Sequence, residues 1–327
     1  VSNEEILRLK KQIPNAKKDS SLITIFYQLA YGYRFSNIDS SLFYANHVIV
    51  LADRNDRPFI KAQMLSLKGA TVLEAGKLPE SLQFQYEALN IAEKIKDTST
   101  IAFALNRIGN VYMELGEYGK ANEFYQRSMD LFQKIGDIGM VHNEVSNMGN
   151  VYELMQMPDS ALYYQQIVYN STLKTNDRIN YTRPEIMFRM GNAFKLKGDT
   201  EKALEFYRKG IVEATFDNDI RNLTMNYLLM AKLYQQLNLS DSSLLYAMNS
   251  LRSGQIVSFR KGMYESSILI SELFKQNKQY DSAYKYLSIA NVERDSLTGN
   301  KRFQELQRII LNEKERERDN EVKRIAF

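Results

Sequence analysis

The sequence predicts an all-α fold in which seven helix pairs stack along the chain as one array. Three observations lead to this prediction: a forty-residue period of small or apolar residues, a turn residue at a fixed distance after four of them, and acidic turns between units. The chain of 327 residues is 44% hydrophobic and 25% charged, which is typical of a folded globular protein and excludes global disorder.

The period is carried by pairs of small or apolar residues that lie twelve positions apart. The first members recur at spacings of 40, 40, 40, 42, 40 and 40 residues. We interpret each unit as two helices that approach each other at these residues, because stacked units bury a continuous core. The pairs are Leu29/Ser41, Gly69/Ser81, Gly109/Ala121, Gly149/Ala161, Gly191/Ala203, Ala231/Ser243 and Ser271/Ala283.

The ends of the helices are marked by turn residues and aspartates. Gly76, Gly116, Gly198 and Asn238 follow the first small residue by seven positions and accept the left-handed conformation of a helix C-terminus. Acidic turns end at Asp97, Asp137, Asp177 and Asp219, where an aspartate caps the first amides of the next helix. Aromatic residues at the position three after the first small residue are assigned to the core.

Two terminal segments flank the array, which is predicted to span residues 21–297. Residues 1–20 hold a capping helix over Asn3 to Ile13, supported by the capping-box pattern Ser2 to Glu5. Residues 298–327 form a charged helix with two open interpretations: it caps the last unit, or it begins a signalling helix that continues toward a membrane. The same helix is where a homodimer could form.

Catalytic and metal-binding patterns are not found in the sequence. Cysteine is absent, and His47 and His142 lie in different units without companions at metal-ligand spacing. We therefore expect no enzyme activity, no cofactor and no metal. The 43 basic and 39 acidic residues are interspersed, which argues against nucleic-acid binding. No run approaches the ~18 apolar residues of a membrane helix, so we expect no span within the chain.

The segment "IGNVYMELGEYGKANEFYQRSMDL", residues 108–131, resembles a tetratricopeptide repeat, and the likeness recurs over 21–297. The usual repeat has 34 residues, so these repeats are of a longer kind. The resemblance implies a right-handed α-α superhelix. It also implies that the first helices form a concave wall at repeat positions two, five, nine and twelve, with the first small residue at position eight.

A row of asparagines falls on this expected wall. Position nine is Asn110, Asn150 and Asn192 in three successive units, with Asn106 at position five and Asn147 at position six. In relatives that clamp an extended peptide, asparagines matching Asn110 and Asn147 hydrogen-bond the peptide backbone. A carboxamide donates and accepts together, which suits a peptide main chain. Three interpretations stay open: peptide binding, hydrogen bonds between adjacent repeats, and solvent exposure.

Neighbouring positions extend the expected groove. Arg189 matches a basic position of the clamp, whereas Asn106 and Glu185 replace its lysines and argue against a terminal-carboxylate clamp. Phe188 and Leu228 at position five, with Tyr227 beside them, form an apolar extension for a partner's side chains.

The opening segment carries a second resemblance. Residues 7–53, which include "QIPNAKKDSSL", are similar to the start of the tetratricopeptide sensor regions of Bacteroidetes-type membrane regulators with histidine kinase or DNA-binding output. This resemblance implies a ligand-sensing input region on the periplasmic side of the inner membrane, tethered beyond Phe327. The alternative is a cytoplasmic scaffold that assembles protein partners without signalling.

Overall fold

The described part of the chain is built from α-helices and one short 3₁₀ turn. A computed structural model describes residues 3–34, 37–74, 76–174, 183–257 and 259–298, and within these ranges it holds fifteen α-helices and no strand. The helices are α1 Asn3–Gln12, α2 Asp19–Tyr33, α3 Ile38–Arg54, α4 Pro58–Glu74, α5 Leu78–Lys94, α6 Thr98–Glu114, α7 Tyr118–Lys134, α8 Ile138–Leu154, α9 Pro158–Lys174, α10 Arg183–Leu196, α11 Thr200–Phe216, α12 Ile220–Gln236, α13 Ser240–Ile256, α14 Arg260–Gln276 and α15 Tyr280–Thr298.

Helices α2 to α15 form the seven predicted pairs, which confirms the all-α array of helix pairs. The chain divides into two compact units, one that runs to Leu131 and one that spans Phe132–Leu297. The predicted boundaries at residues 20 and 297 stay predictions. The charged helix predicted after residue 298, with Phe303, Leu306 and Ile310, lies outside the described residues, as does Asp177. None of the described helices is long and apolar enough to cross a bilayer.

The first unit is closed at its N-terminal end by α1. Ile6 and Leu9 are at most 5% exposed and pack into one apolar cluster with residues of α2, α3 and α4, including Phe26 and Leu29. Helix α1 ends at Gln12, and the 3₁₀ turn Ile13–Asn15 follows because Pro14 cannot continue an α-helix. Burial of these apolar side chains holds α1 against the first helix pair.

The helix ends follow the predicted caps. Asp97, Asp137 and Asp219 each accept a hydrogen bond from the backbone amide three residues later, at 2.8, 3.0 and 3.1 Å. The four predicted turn residues all have positive φ, with values from +58° at Asn238 to +85° at Gly198. Gln156 occupies the same turn position with φ of +59°, although its side chain gives it no conformational advantage there.

The aromatic residues after the small positions pack between the two helices of a pair. In five successive pairs an aromatic ring of the first helix stacks on one of the second, with centroids 5.2 to 5.6 Å apart and planes within 19°. Offset stacking of this kind contributes about 0.5–1.5 kcal/mol per pair beyond area burial. The pairs are Tyr112/Phe124, Tyr152/Tyr164, Phe194/Phe206, Tyr234/Tyr246 and Phe274/Tyr286.

Several predicted pairs of small residues are in contact, since the Ser243 and Ser271 hydroxyls donate to the carbonyls of Ala231 and Ala283 at 2.9 and 2.7 Å. The small-residue glycines of the first helices also have a second partner. The heavy atoms nearest to a Cβ placed on Gly149 belong to Gln165 and Tyr164, and the expected Ala161 is not among them. A large polar residue sixteen positions after each glycine covers it, as Tyr207 covers Gly191. The glycine therefore makes room for that side chain. The pairs are Gly69/Gln85, Gly109/Tyr125, Gly149/Gln165 and Gly191/Tyr207.

Candidate functional site

The candidate site is a polar surface formed by the first helices of the second unit. Helix α10 contacts α8 and α12, and α12 also contacts α14, so these four helices lie side by side. Hydrogen bonds link them across the surface: α10 to α8 through Asn192 and Glu153, and α12 to α14 through Lys232 and Glu265. We call this surface, formed by α8, α10, α12 and α14, the first-helix wall.

Asn192 lies at the centre of a hydrogen-bond network between two repeats. Its amide nitrogen donates to Glu153 Oε1 at 2.7 Å, and its Oδ1 accepts from the hydroxyl of Tyr207 at 2.7 Å. Tyr207 is fully buried, and both burial and the nearby Glu153 carboxylate raise the pKa of its phenol, which keeps it a donor. Asn192 thus bridges adjacent repeats, as one of the three interpretations of the asparagine row proposed.

The Glu153 carboxylate is a half-buried acid surrounded by donors and cations. Burial raises its pKa, whereas Arg189, the hydrogen bond from Asn192 and the charge of Lys195 act in the opposite direction. Arg189 keeps only 12% of its side chain exposed, and its guanidinium donates to Glu185 at 2.6 and 3.0 Å. The wall therefore holds an acid that is costly to bury beside an arginine that is already paired.

A cleft of about 270 Å³ opens on the wall between α10, α12 and α14. Its charged and amide lining consists of Lys195, Lys232, Gln235, Gln236, Glu265 and Glu272. The remaining lining consists of the apolar side chains of Ile268 and Leu269 and the ring of Tyr264.

Two hydrogen bonds connect opposite sides of this cleft. The Lys232 ammonium lies 2.5 Å from Glu265 Oε2, and Gln235 donates to Glu272 at 3.3 Å. Both carboxylates of the cleft therefore have a donor from α12.

The other predicted residues of the second unit divide between surface and core. Asn147, Asn150, Phe188 and Tyr227 are half-buried, and Asn147 donates to the Asn143 side chain at 3.1 Å. Leu228 has no exposed surface, so its side chain belongs to the core and is removed from the set of groove residues.

In the first unit, Asn106 and Asn110 are held by their own repeat. Asn106 is 5% exposed, and Asn110 accepts from the Tyr125 hydroxyl at 2.8 Å and donates to Asn106 at 3.5 Å. The carbonyl oxygen of Asn110 is thus used within the helix pair. This repeats the arrangement of Asn192 and Tyr207 in the second unit.

Several wall residues were not predicted from the sequence. Glu153, Lys195 and Gln235 all occupy repeat position twelve, and Glu265 occupies position two. Positions two and twelve were both expected on the concave wall, so the repeat register alone could have predicted that these four side chains lie on it. The asparagines at position nine are unusual inside a helix, whereas charged side chains are common on any exposed helix face and give a weaker signal.

Comparison with known proteins identifies the repeats. Family models described as tetratricopeptide repeat match residues 61–134 and 184–211. The chain therefore carries tetratricopeptide repeats. No curated protein sequence matches it.

Solved structures share the fold at low sequence identity. A Rap protein complexed with Competence and Sporulation Factor aligns with a TM-score of 0.69 at 15% identity, covering 89% of this chain and 80% of the other. The Rap conjugation gene regulator of plasmid pLS20, in complex with the Phr* peptide, aligns with a TM-score of 0.65 at 15% identity, covering 85% and 76%. The apo quorum sensor NprR from B. thuringiensis gives 0.61 at 16%, covering 89% and 81%.

Proposed function

We propose that this chain of tetratricopeptide repeats binds an extended peptide segment of a partner protein on the first-helix wall. The observation that carries the proposal is the open cleft of about 270 Å³, lined by charged and amide side chains from three adjacent first helices. Extended peptides need donors and acceptors for their main chain and pockets for alternate side chains. The wall offers both within one compact unit.

Individual residues supply different parts of this binding surface. Asn147 and Asn150 on α8 present carboxamides, which pair with a peptide main chain in any sequence context. Phe188 and Tyr227, half-buried on α10 and α12, supply ring surface for apolar side chains of the partner. Arg189 and Asn192 act mainly by holding Glu185 and Glu153 in place.

Two of the structures that share the fold support this proposal. One is a complex with Competence and Sporulation Factor and the other is a complex with the Phr* peptide. Both structures are 15% identical in sequence to this chain. They therefore support the binding of a ligand by this fold, but they do not assign a role to any individual residue of this chain.

A peptide-display selection on the full chain tests the proposal. Peptides enriched by the wild-type chain should bind Asn150→Ala and Tyr227→Ala about five- to thirtyfold more weakly, since each variant removes a contact worth about 1–2 kcal/mol. Asn170→Ala is the matched control, because Asn170 is exposed on the second helix α9 of the same unit. Selected peptides that bind both wall variants as tightly as wild type, or a selection without enrichment, would overturn the proposal.

We further propose that the chain is the input region of a membrane-anchored bacterial regulator. This rests on the resemblance of residues 7–53 to the sensor regions of such regulators. The coding sequence beyond Phe327 should then encode a hydrophobic segment of about 20 residues. A stop codon directly after Phe327 would contradict the anchor and favour a scaffold without signalling.

A further inference from the structure

The corner where α13 ends and α14 begins exposes large aliphatic side chains. Ile256, the last residue of α13, is 73% exposed, and Val257 directly after it is 40% exposed. Phe216, which ends α11 at the equivalent position forty residues earlier, is 72% exposed. Large apolar side chains are therefore exposed at the ends of two successive second helices of the second unit.

A contact between the two corners places these side chains at one edge. The Arg221 guanidinium, at the start of α12, lies 4.9 Å from the centroid of the Phe259 ring, directly before α14. Only four residues separate Arg221 from Phe216. The exposed ends of α11 and α13 therefore lie along the same edge of the second unit, and a group of exposed apolar side chains indicates an interaction surface.

Basic side chains flank the aliphatic ones at the α13–α14 corner. Residues 252–261 include Arg252, Arg260 and Lys261 and no acidic residue. All three cations are exposed, and none of them forms an ion pair with any residue that the structure describes. Arg252 lies on the same face of α13 as Ile256, since four residues complete about one helical turn. We call Arg252, Ile256, Val257, Arg260 and Lys261 the basic corner.

Three other corners of the chain carry an acid where the basic corner carries none. Asp97, Asp137 and Asp219 cap the helices that follow them. The residue before α14 is Phe259, which forms no side-chain cap hydrogen bond. The basic corner therefore lacks the negative charge found at those three helix starts, and its own charge is complementary to an anionic surface.

We infer that the basic corner docks on the surface of an anionic lipid bilayer. The three cations are attracted to the lipid headgroups, and Ile256 and Val257 enter the boundary between headgroups and acyl chains. The aliphatic side chains favour lipid over single-stranded nucleic acid, which is bound by stacking on aromatic rings. The basic corner shares no residue with the lining of the cleft, so this inference goes beyond the proposed peptide binding and does not depend on it.

Co-sedimentation of the full chain with lipid vesicles tests the electrostatic part. The chain should bind vesicles of phosphatidylcholine and phosphatidylserine in equal parts more tightly than pure phosphatidylcholine vesicles. The variant Arg252→Gln/Arg260→Gln/Lys261→Gln should lose about hundredfold in affinity for the anionic vesicles, because each basic residue near such a surface contributes about fivefold, or about 1 kcal/mol. Lys275→Gln/Lys278→Gln/Lys285→Gln is the matched control, since it removes the same charge from exposed lysines near the α14–α15 turn.

A tryptophan reporter tests the insertion of the aliphatic side chains. The chain has no tryptophan, so Ile256→Trp introduces a single one. Its fluorescence should shift to shorter wavelength with anionic vesicles and be quenched by brominated acyl chains. Leu239→Trp is the matched control, because Leu239 is 50% exposed in the turn between α12 and α13, at the opposite end of α13. Its fluorescence should not change.

Three results would overturn the inference. The first is equal affinity of the wild-type chain for the two kinds of vesicle, and the second is an equal loss of affinity in the two triple variants. The third is an Ile256→Trp signal that anionic vesicles leave unchanged. If a DNA duplex binds with the same dependence on the three cations while the Ile256→Trp signal stays unchanged with vesicles, the partner of this corner is nucleic acid and the assignment to lipid is wrong.

Discussion

Replacing Gly149 by alanine tests the packing rule that positions the wall helices. A Cβ at residue 149 would lie 2.4 Å from Gln165 Nε2 and 3.0 Å from its Cδ, closer than such atoms can approach. Gln165 is 1% exposed, so its amide has little room to move away. The Gly149→Ala variant should therefore displace the Gln165 side chain from its site beneath α8.

The cost follows from the hydrogen bonds that this displacement breaks. Gln165 donates to the Ser146 carbonyl at 2.9 Å and accepts from the Ser146 hydroxyl at 3.2 Å. Loss of two buried hydrogen bonds costs about 2–3 kcal/mol, and the helix propensity of alanine over glycine returns about 1 kcal/mol. We expect Gly149→Ala to lower the free energy of unfolding by about 1–2 kcal/mol.

Urea unfolding of matched variants measures this cost. Gly119→Ala is the control, because Gly119 is an exposed helical glycine of α7 whose added Cβ would meet nothing within 4 Å. It should raise stability by about 0.5–1 kcal/mol.

The double variant Gly149→Ala/Gln165→Ala copies the natural pair Ala231 and Ala247, which have the same spacing and are fully buried. It should be less destabilised than the sum of the two single variants by about 1 kcal/mol or more. Strict additivity, or a Gly149→Ala variant as stable as Gly119→Ala, would refute the packing rule.

Three further predictions address the helix ends and the buried acid. Gln156→Gly should raise the free energy of unfolding in urea by about 1 kcal/mol, because Gln156 has φ of +59° and glycine accepts this conformation without strain. Asp219→Ala should lower it by about 1 kcal/mol, since the α12 cap is lost, and Asp219→Asn should retain most of the stability. Burial raises the pKa of Glu153, so the folded state binds this proton more tightly than the unfolded state. The stability of wild type relative to Glu153→Gln should therefore increase as the pH falls through the folded pKa toward the unfolded pKa, and a decrease would contradict the burial cost.

Much of the repeat architecture was accessible from the sequence because its signals are local. An aspartate cap such as Asp97 and a left-handed turn residue such as Gly116 act within a few residues of their own position. The period then repeats these signals often enough to fix the helix boundaries.

The candidate site was predicted less completely. Asn192 was predicted on a first-helix surface, whereas its two hydrogen bonds, which reach residues 39 positions before it and 15 after it, were not predicted. The spacing of the repeats does not predict Glu153 as the hydrogen-bond partner of Asn192. Leu228 was assigned to the groove because its position was expected on the wall, whereas packing in the second unit buries it completely.

The sequence by itself determined the helix pairs, their ends and the repeat register, because capping, turn conformation and apolar periodicity depend on residues close in the chain. Only the tertiary structure decided which side chains meet. It assigned the space above Gly149 to Gln165 and joined Asn192 to Glu153. These outcomes depend on the volumes and charges of side chains brought together from different helices, which no single repeat specifies.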